Sequence, residues 1–284
     1  MRALLRAAIA VVAGLCATTV RAETSVADTP VADAPVDVEL MLAVDVSYSM
    51  SPSELEIQRR GYAAALRDPE ILRAATSGYR KQIALSYVEW SGAGQQRTVL
   101  PWTLIASAED LERFASKLTA DAPQALRRTS ISSLLDFAPS SFADNGFAGD
   151  RRVIDVSGDG PNNMGRSVTE ARDELVAAGF AINGLPLMTN NGRGWLPDLE
   201  DLDLYYEHCV IGGPLSFSIP VRSWREFLPA VRKKLILELA GRTPEPRIVM
   251  AQWRGGSAAG YDCLIGEKLW RRFMEREREY DFNQ

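Results

Sequence analysis

"LAVDVSYSM", residues 42–50, is the end of a nearly continuous apolar run that begins at residue 38. Runs of this kind are typical of strands buried on both faces, as in parallel sheets that are covered by helices. Three polar side chains then follow at alternate positions, namely Asp45, Ser47 and Ser49. Side chains of an extended segment alternate with a period of two, so these three oxygen-bearing groups are expected to point the same way.

Segments with strand character alternate with segments of helical character further along the chain. Strands are predicted at residues 82–90, 97–104, 152–157, 180–187 and 215–221, and helices at 52–67, 108–118, 130–138, 166–178 and 223–240. Pro101 makes the strand at 97–104 an edge strand, because proline cannot donate to a ladder. The alternation predicts an α/β fold with a Rossmann-like, doubly wound, mostly parallel sheet and helices on both of its faces.

Two further oxygen donors are predicted to reach the same edge of this sheet. Ligands of such sheets bind at the carboxyl ends of the strands. Asp45 and Asp159 each follow a predicted strand, and Thr129 precedes a predicted helix. Carboxylates and hydroxyls are hard donors that suit Mg²⁺, or else Mn²⁺ or Ca²⁺. Local alternatives exist, since Thr129 could cap its helix and Asp159 could serve a turn, whereas Ser51 is better placed than Asp45 to cap the helix at 52–67.

The order Asp45-x-Ser47-x-Ser49, then Thr129, then Asp159-Gly160 resembles the metal-ion-dependent adhesion site of von Willebrand factor type A domains. This resemblance extends over residues 37–241. The stretches "VDVSYSM", "RRVIDVSGDGPNN" and "YYEHCVIGG" are more narrowly similar to a bacterial family, domain of unknown function 1194, whose members look secreted and have no assigned activity.

The resemblance implies a role for each of these residues. Ser47 and Ser49 would bind the metal directly, Thr129 directly or through water, while Asp45 and Asp159 would supply charge. Because few carboxylates touch it, the cation stays electron-poor and keeps one position open for an acidic residue of a protein partner. The implied function is therefore adhesion or complex assembly, not catalysis.

The sequence also departs from the pattern of those domains. Gly158 stands where their turn usually has threonine, and Asp155 lies inside a predicted central strand, where an aliphatic residue is expected. A carboxylate there is costly unless it is partnered, so Asp155 is expected either to support a metal ligand or to pair with an arginine. Glu89 ends another strand near the site, where it could support a ligand or pack in the core.

Both ends of the chain differ from its middle. Residues 1–22, with a basic start, an apolar core and a small-x-small motif before residue 23, have the features of a signal peptide, and residues 23–36 those of a flexible leader. We therefore expect a secreted, periplasmic protein that has no membrane span once the signal is removed. Cys209 and Cys263 remain after cleavage and are expected either to form a disulfide or to stay as buried thiols. Residues 242–284 are expected to form an extension that packs on the domain.

Composition and motifs disfavour several other functions. The chain has 37 acidic and 32 basic residues and no basic stripe, which argues against nucleic acid. His208 is the only histidine, and no G-x-S-x-G elbow exists, so a multi-histidine zinc site and that class of hydrolase are disfavoured. A magnesium-dependent phosphatase of the haloacid-dehalogenase type remains an alternative, although Ser47 occupies the position of its general acid. A structural protein whose metal site only braces the loops is a second alternative.

Overall fold

The computed structural model describes residues 33–189, 199–242 and 260–282. The strands are β1 (Ala34–Asp45), β2 (Ile83–Trp90), β3 (Gln96–Ile105), β4 (Phe147–Gly158) and β5 (Phe180–Pro186). The helices are α1 (Pro52–Leu66), α2 (Pro69–Ala75), α3 (Ala108–Leu118), α4 (Ile131–Phe142), α5 (Val168–Ala177), α6 (Leu202–Tyr205), α7 (Trp224–Ala240) and α8 (Ile265–Phe282). A single π-helical turn, Tyr206–Val210, continues α6. The predicted signal peptide and most of the predicted leader lie outside the described residues.

The five strands form one sheet in the order β3-β2-β1-β4-β5. Every pairing is parallel except that of β2 with β3, which is antiparallel and lies at the edge. The edge position predicted from Pro101 is therefore confirmed, and so is the mostly parallel α/β fold. The strand that ends in Asp45 lies at the centre, between β2 and β4, which places the end of the apolar run beside both neighbouring strand ends.

Helices cover both faces of the sheet, as predicted. Leu40, Leu42 and Val44 of β1 pack in one core with side chains of α1, α2, α3 and α7. Met41 and Ala43, which alternate with them, pack in a second core with side chains of α4, α5 and α6. The run is almost entirely apolar because both of its faces are buried.

Some predicted elements and boundaries differ from the structure. Residues 215–221 do not form a strand of the sheet and make only two isolated bridges to the region of β5, at Ser218 and Val221. Pro214 and Pro220 lack the N–H groups that a continuous ladder needs, and Leu215 has a positive φ of 61°. At the other end, β1 begins at Ala34, inside the predicted leader, where its first residues pair with β4.

Helix α1 starts where the sequence predicted. Ser51 is its N-cap, and the reciprocal bonds between Ser51 and Glu54 form a complete capping box. Asp45, Ser47 and Ser49 are thus not needed to begin the helix. None of the described helices is both long and apolar enough to cross a bilayer.

Candidate metal centre

The oxygen donors Asp45, Ser47 and Ser49 lie at the carboxyl end of β1 and in the loop that follows it. The amide of Ser47 donates to Oδ1 of Asp45 at 2.7 Å, which holds the carboxylate against the start of the loop. The hydroxyl oxygens of Ser47 and Ser49 are 2.8 Å apart. The three side chains thus lie together, as the sequence indicated, although Tyr48 and Ser49 lie in a turn closed by the bond from the Met50 amide to the Ser47 carbonyl and not in extended chain.

The loop after β4 brings a second carboxylate to the same place. Ser49 Oγ donates to Oδ1 of Asp159 at 2.7 Å, although 110 residues separate the two in the chain. Parallel pairing of β1 with β4 explains this contact, because parallel neighbours end at the same edge of a sheet. A continuous group of donors, from Asp45 through both serines to Asp159, results.

Thr129 lies beside this group, on the loop before α4. Its side chain is buried, and a Cβ atom added to Gly160 would lie 4.0 Å from its Oγ1. Asn163 fixes the two loops to each other, since its Oδ1 accepts from the amide of Thr129 at 3.1 Å and its own amide donates to the Thr129 carbonyl at 2.9 Å. The N-cap of α4 is Ser130, so the alternative role of Thr129 as a cap is wrong.

The surroundings of Asp45 are unfavourable for an unneutralised carboxylate. It is fully buried, and its Oδ2 has no partner at hydrogen-bonding geometry among the described residues. Burial first, and then the charge of Asp159, raise the pKa of Asp45 well above its usual value, against partial compensation by bonds from Ser47 and the Asp159 amide. A cation at this position would neutralise two acids that burial and repulsion otherwise hold in an unfavourable state.

The chemistry of the donors fits a hard divalent ion. No cluster of three or more histidine, cysteine, aspartate or glutamate residues suited to a metal occurs in the described part of the chain. A cation here would thus rely on hydroxyl groups with only two carboxylates, a set of oxygen donors that Mg²⁺, Mn²⁺ and Ca²⁺ accept and that softer metals disfavour.

Tyr206 is a residue of this site that the sequence reasoning missed. A Cβ atom added to Gly158 would lie 2.9 Å from the Tyr206 hydroxyl and 3.1 Å from Oδ2 of Asp45. The tyrosine hydroxyl thus occupies the space where a side chain at position 158 would begin, which explains why glycine stands there in place of threonine. Like that Asp45 oxygen, this buried hydroxyl lacks a hydrogen-bond partner among the described residues. The sequence did mark this tyrosine, since it is the second residue of the stretch "YYEHCVIGG" that carries the family resemblance.

The two residues predicted to support the ligands have other contacts. Asp155 lies 2.6 Å from the ammonium nitrogen of Lys234, so its partner is a lysine and not the arginine considered as an alternative. Glu89 is buried and pairs with Arg59 and Arg97, each at 2.6 Å. Neither carboxylate has a bond to a predicted metal ligand among the contacts of the described residues, so their supporting role remains a prediction.

The C-terminal segment reaches the loops of the site. Cys263 is bonded to Cys209 of the π-helical turn, so these cysteines are not free thiols. From there α8 begins beside the loop after β4, where Oε1 of Glu267 accepts from the side chain of Asn162 at 2.7 Å. His208 stacks on Tyr261 with their ring centres 5.5 Å apart, which gives the only histidine a packing role next to the disulfide.

The sequence is similar to that of one protein family over most of its length. A family profile described as "Protein of unknown function (DUF1194)" matches residues 35–243. The chain belongs to this family. No curated protein matches the DUF1194 chain.

Solved structures similar to the DUF1194 chain include a mussel byssus protein, a von Willebrand factor type A protein and a pilus adhesin. Proximal thread matrix protein 1 of the mussel byssus has a TM-score of 0.52 at 16% identity, over 73% of this chain and 49% of its own. A von Willebrand factor type A protein from Catenulispora acidiphila has a TM-score of 0.51 at 15% identity, over 72% of this chain and 43% of its own. The pilus adhesin SpaC from Lactobacillus rhamnosus GG, in its open conformation, has a TM-score of 0.53 at 11% identity, over 73% of this chain and 31% of its own.

These similarities establish the fold as that of von Willebrand factor type A domains. The DUF1194 chain spans about half or less of the length of each of these three structures. Identities this low carry no information on activity, so function has to be argued from the residues of this chain.

Proposed function

We propose that the protein binds a divalent cation, Mg²⁺ in the first place, through Asp45, Ser47, Ser49, Thr129 and Asp159. The observation that carries this proposal is the unbroken contact from Ser47 through Ser49 to Asp159 beside a buried carboxylate with an unpartnered oxygen. Such an oxygen costs about 1–3 kcal/mol when it stays unpaired, so a bound cation would remove a penalty that the fold otherwise carries.

A solved structure of proximal thread matrix protein 1 carries the description "with zinc occupied MIDAS motif", the abbreviation of the same adhesion site, at a TM-score of 0.51 and 14% identity. This description supports metal binding by the shared fold and does not identify the metal of the DUF1194 chain. Two carboxylates with three hydroxyls favour Mg²⁺ or Mn²⁺ over zinc, which prefers nitrogen and sulfur ligands.

The cation would serve to bind a partner and not to catalyse a reaction. When bound, it would supply a coordination position for a carboxylate that a protein partner presents. Tyr48, between the two serines, is 57% exposed and has the guanidinium of Arg127 5.8 Å from its ring centre, so aromatic and basic groups stand beside that position. An acidic side chain of a protein, in adhesion or complex assembly, is the ligand that suits this surface.

The proposed location is outside the cytoplasm, in a bacterial periplasm. The disulfide Cys209–Cys263 supports it, because such bonds persist in oxidising compartments. The predicted signal peptide supports it as well.

Isothermal calorimetry with MgCl₂ and MnCl₂ tests the metal. We expect saturable binding by the wild-type protein and none by Asp159→Ala, with the exposed Asp173→Ala as the matched control that still binds. Equal binding by Asp159→Ala and the wild type, or no heat with either metal, would overturn the proposal.

Affinity capture from an envelope extract, with and without EDTA, tests the partner. Thr129→Ala is expected to abolish the EDTA-sensitive capture while its fold persists, whereas the exposed Thr98→Ala retains it. If Thr129→Ala lowers only the thermal stability and releases no partner, the metal braces the loops and the adhesion proposal fails. Magnesium-dependent hydrolysis of a generic phosphate ester, lost in Asp45→Asn, would favour the phosphatase instead.

A further inference from the structure

A buried group of reactive side chains lies between α7 and the centre of the sheet, apart from the proposed metal centre. Lys234 and Glu238 stand one turn apart on α7, and Asp155 faces them from β4. Their exposed fractions are 0%, 2% and 1%, so water does not reach them. Asn183 on β5 donates to Oε1 of Glu238 at 2.9 Å and completes the group.

Burial favours the neutral forms of the two carboxyl groups, Asp155 and Glu238. Burial raises the pKa of Asp155, and burial followed by the charge of Asp155 raises that of Glu238 to about 7. One ammonium group here faces two carboxylates in an apolar core, where moving a proton from nitrogen to oxygen removes two charges at once. A neutral amine beside a protonated carboxyl group is the pair of reactants that amide formation requires.

The geometry brings the reacting atoms together. Nζ of Lys234 lies 2.6 Å from Oδ1 of Asp155, and since Cγ is bonded to that oxygen, the nitrogen is at most about 3.8 Å from Cγ. Oδ1 nevertheless has no partner at hydrogen-bonding geometry among the described residues. The amine and the carboxyl group are therefore in contact without the geometry of a hydrogen bond. Glu238 contacts the same nitrogen.

We propose that Lys234 and Asp155 join in an intramolecular isopeptide bond, with Glu238 as the group that carries the proton. The neutral Nζ attacks Cγ of protonated Asp155, and a C–N bond forms. Glu238 accepts a proton from the nitrogen and passes it to a carboxyl oxygen, whose bond to Cγ then breaks as water leaves. One amine and one acid thus become one amide and one water, and no oxidant, reductant or co-reactant is consumed.

Two physical effects favour this reaction over the open ion pair. Groups held in contact react as if at an effective concentration on the order of 10⁵–10⁸ M. The product is uncharged, so burial no longer has to hold the Lys234 ammonium and the Asp155 carboxylate away from water. The bond would tie α7 covalently to β4, the strand that Asp159 follows.

Mass spectrometry of the denatured, disulfide-reduced wild-type chain tests the proposal. The expected intact mass is about 18 Da below that of its sequence, because one water is lost. Asp155→Ala and Lys234→Arg are expected at their full sequence masses, while Lys233→Arg, an exposed neighbour on α7, keeps the deficit. The wild-type result decides by itself, so a variant that fails to fold does not weaken the test.

Trypsin digestion locates the bond. The expected product joins residues 153–166 to residues 234–242, with no cleavage after Lys234 because its amine is blocked. A wild-type chain at full sequence mass, with residues 235–242 released as a separate peptide, would overturn the proposal. So would a deficit of about 17 Da that maps to Asn183, since it would mean loss of ammonia from an amide and not water from Asp155.

Discussion

Replacing Asp45 by asparagine should stabilise the metal-free protein and abolish its response to magnesium. Asparagine keeps an oxygen that can accept from the Ser47 amide, at the position where Oδ1 of Asp45 accepts at 2.7 Å. It also replaces the unpartnered, charged Oδ2 by an uncharged amide group of the same size. The variant therefore removes a buried charge while it preserves the shape of the loop.

The size of the effect follows from that buried charge. An unpaired buried polar group costs about 1–3 kcal/mol, and for a domain of this size each kcal/mol moves Tm by about 2–4 °C. Taking about 2 kcal/mol, the middle of that range, we expect Asp45→Asn in EDTA at pH 7.5 to have a Tm about 4–8 °C above that of the wild type. With magnesium at a hundred times its Kd, the wild type gains about 2.7 kcal/mol and the variant gains none, so the order reverses.

The pH dependence has a definite sign. The pKa of Asp45 is raised in the folded protein, so the unfolded chain releases this proton at lower pH than the folded chain does. The stability of the metal-free wild type should therefore fall as pH rises above the ordinary aspartate value and through the raised one, and asparagine should remove this decline. Thermal unfolding in EDTA between pH 3 and pH 8 measures it. A wild type that is as stable as the variant at pH 7.5, or a variant that magnesium stabilises, would refute the reasoning.

Three other changes probe the surroundings of the site. Gly158→Ala places a methyl group 2.9 Å from a tyrosine hydroxyl and should weaken magnesium binding more than tenfold by calorimetry, and unchanged affinity would contradict it. Cys263→Ser should cost about 2–4 kcal/mol of stability and expose α8 to limited proteolysis; resistance of α8 equal to that of the wild type would count against this. Arg59→Met, which leaves the buried Glu89 with only a half-exposed cation, should cost about 3–5 kcal/mol in urea unfolding, whereas Arg97→Met should cost less than about 1.

The sequence by itself determined most of the elements and the residues of the candidate site. The run that ends in Asp45 is almost entirely apolar because both faces of a central strand are covered, and this is visible without coordinates. The edge strand followed from one proline, and the start of α1 from one capping box. The oxygen donors could be proposed from their types and their places at strand ends, because the carboxyl ends of parallel strands meet at one edge.

Only the tertiary structure decided which side chains meet across long separations. Nothing local indicates that Asp155 faces a lysine on α7 or that Tyr206 fills the space above Gly158. Residues 215–221 show the same limit from the other side, since their apolar pattern is that of a strand although they make only isolated bridges to the region of β5. Sequence patterns record how each segment is buried, whereas partners depend on how helices pack on the sheet, and that packing is fixed by the shape of the whole core.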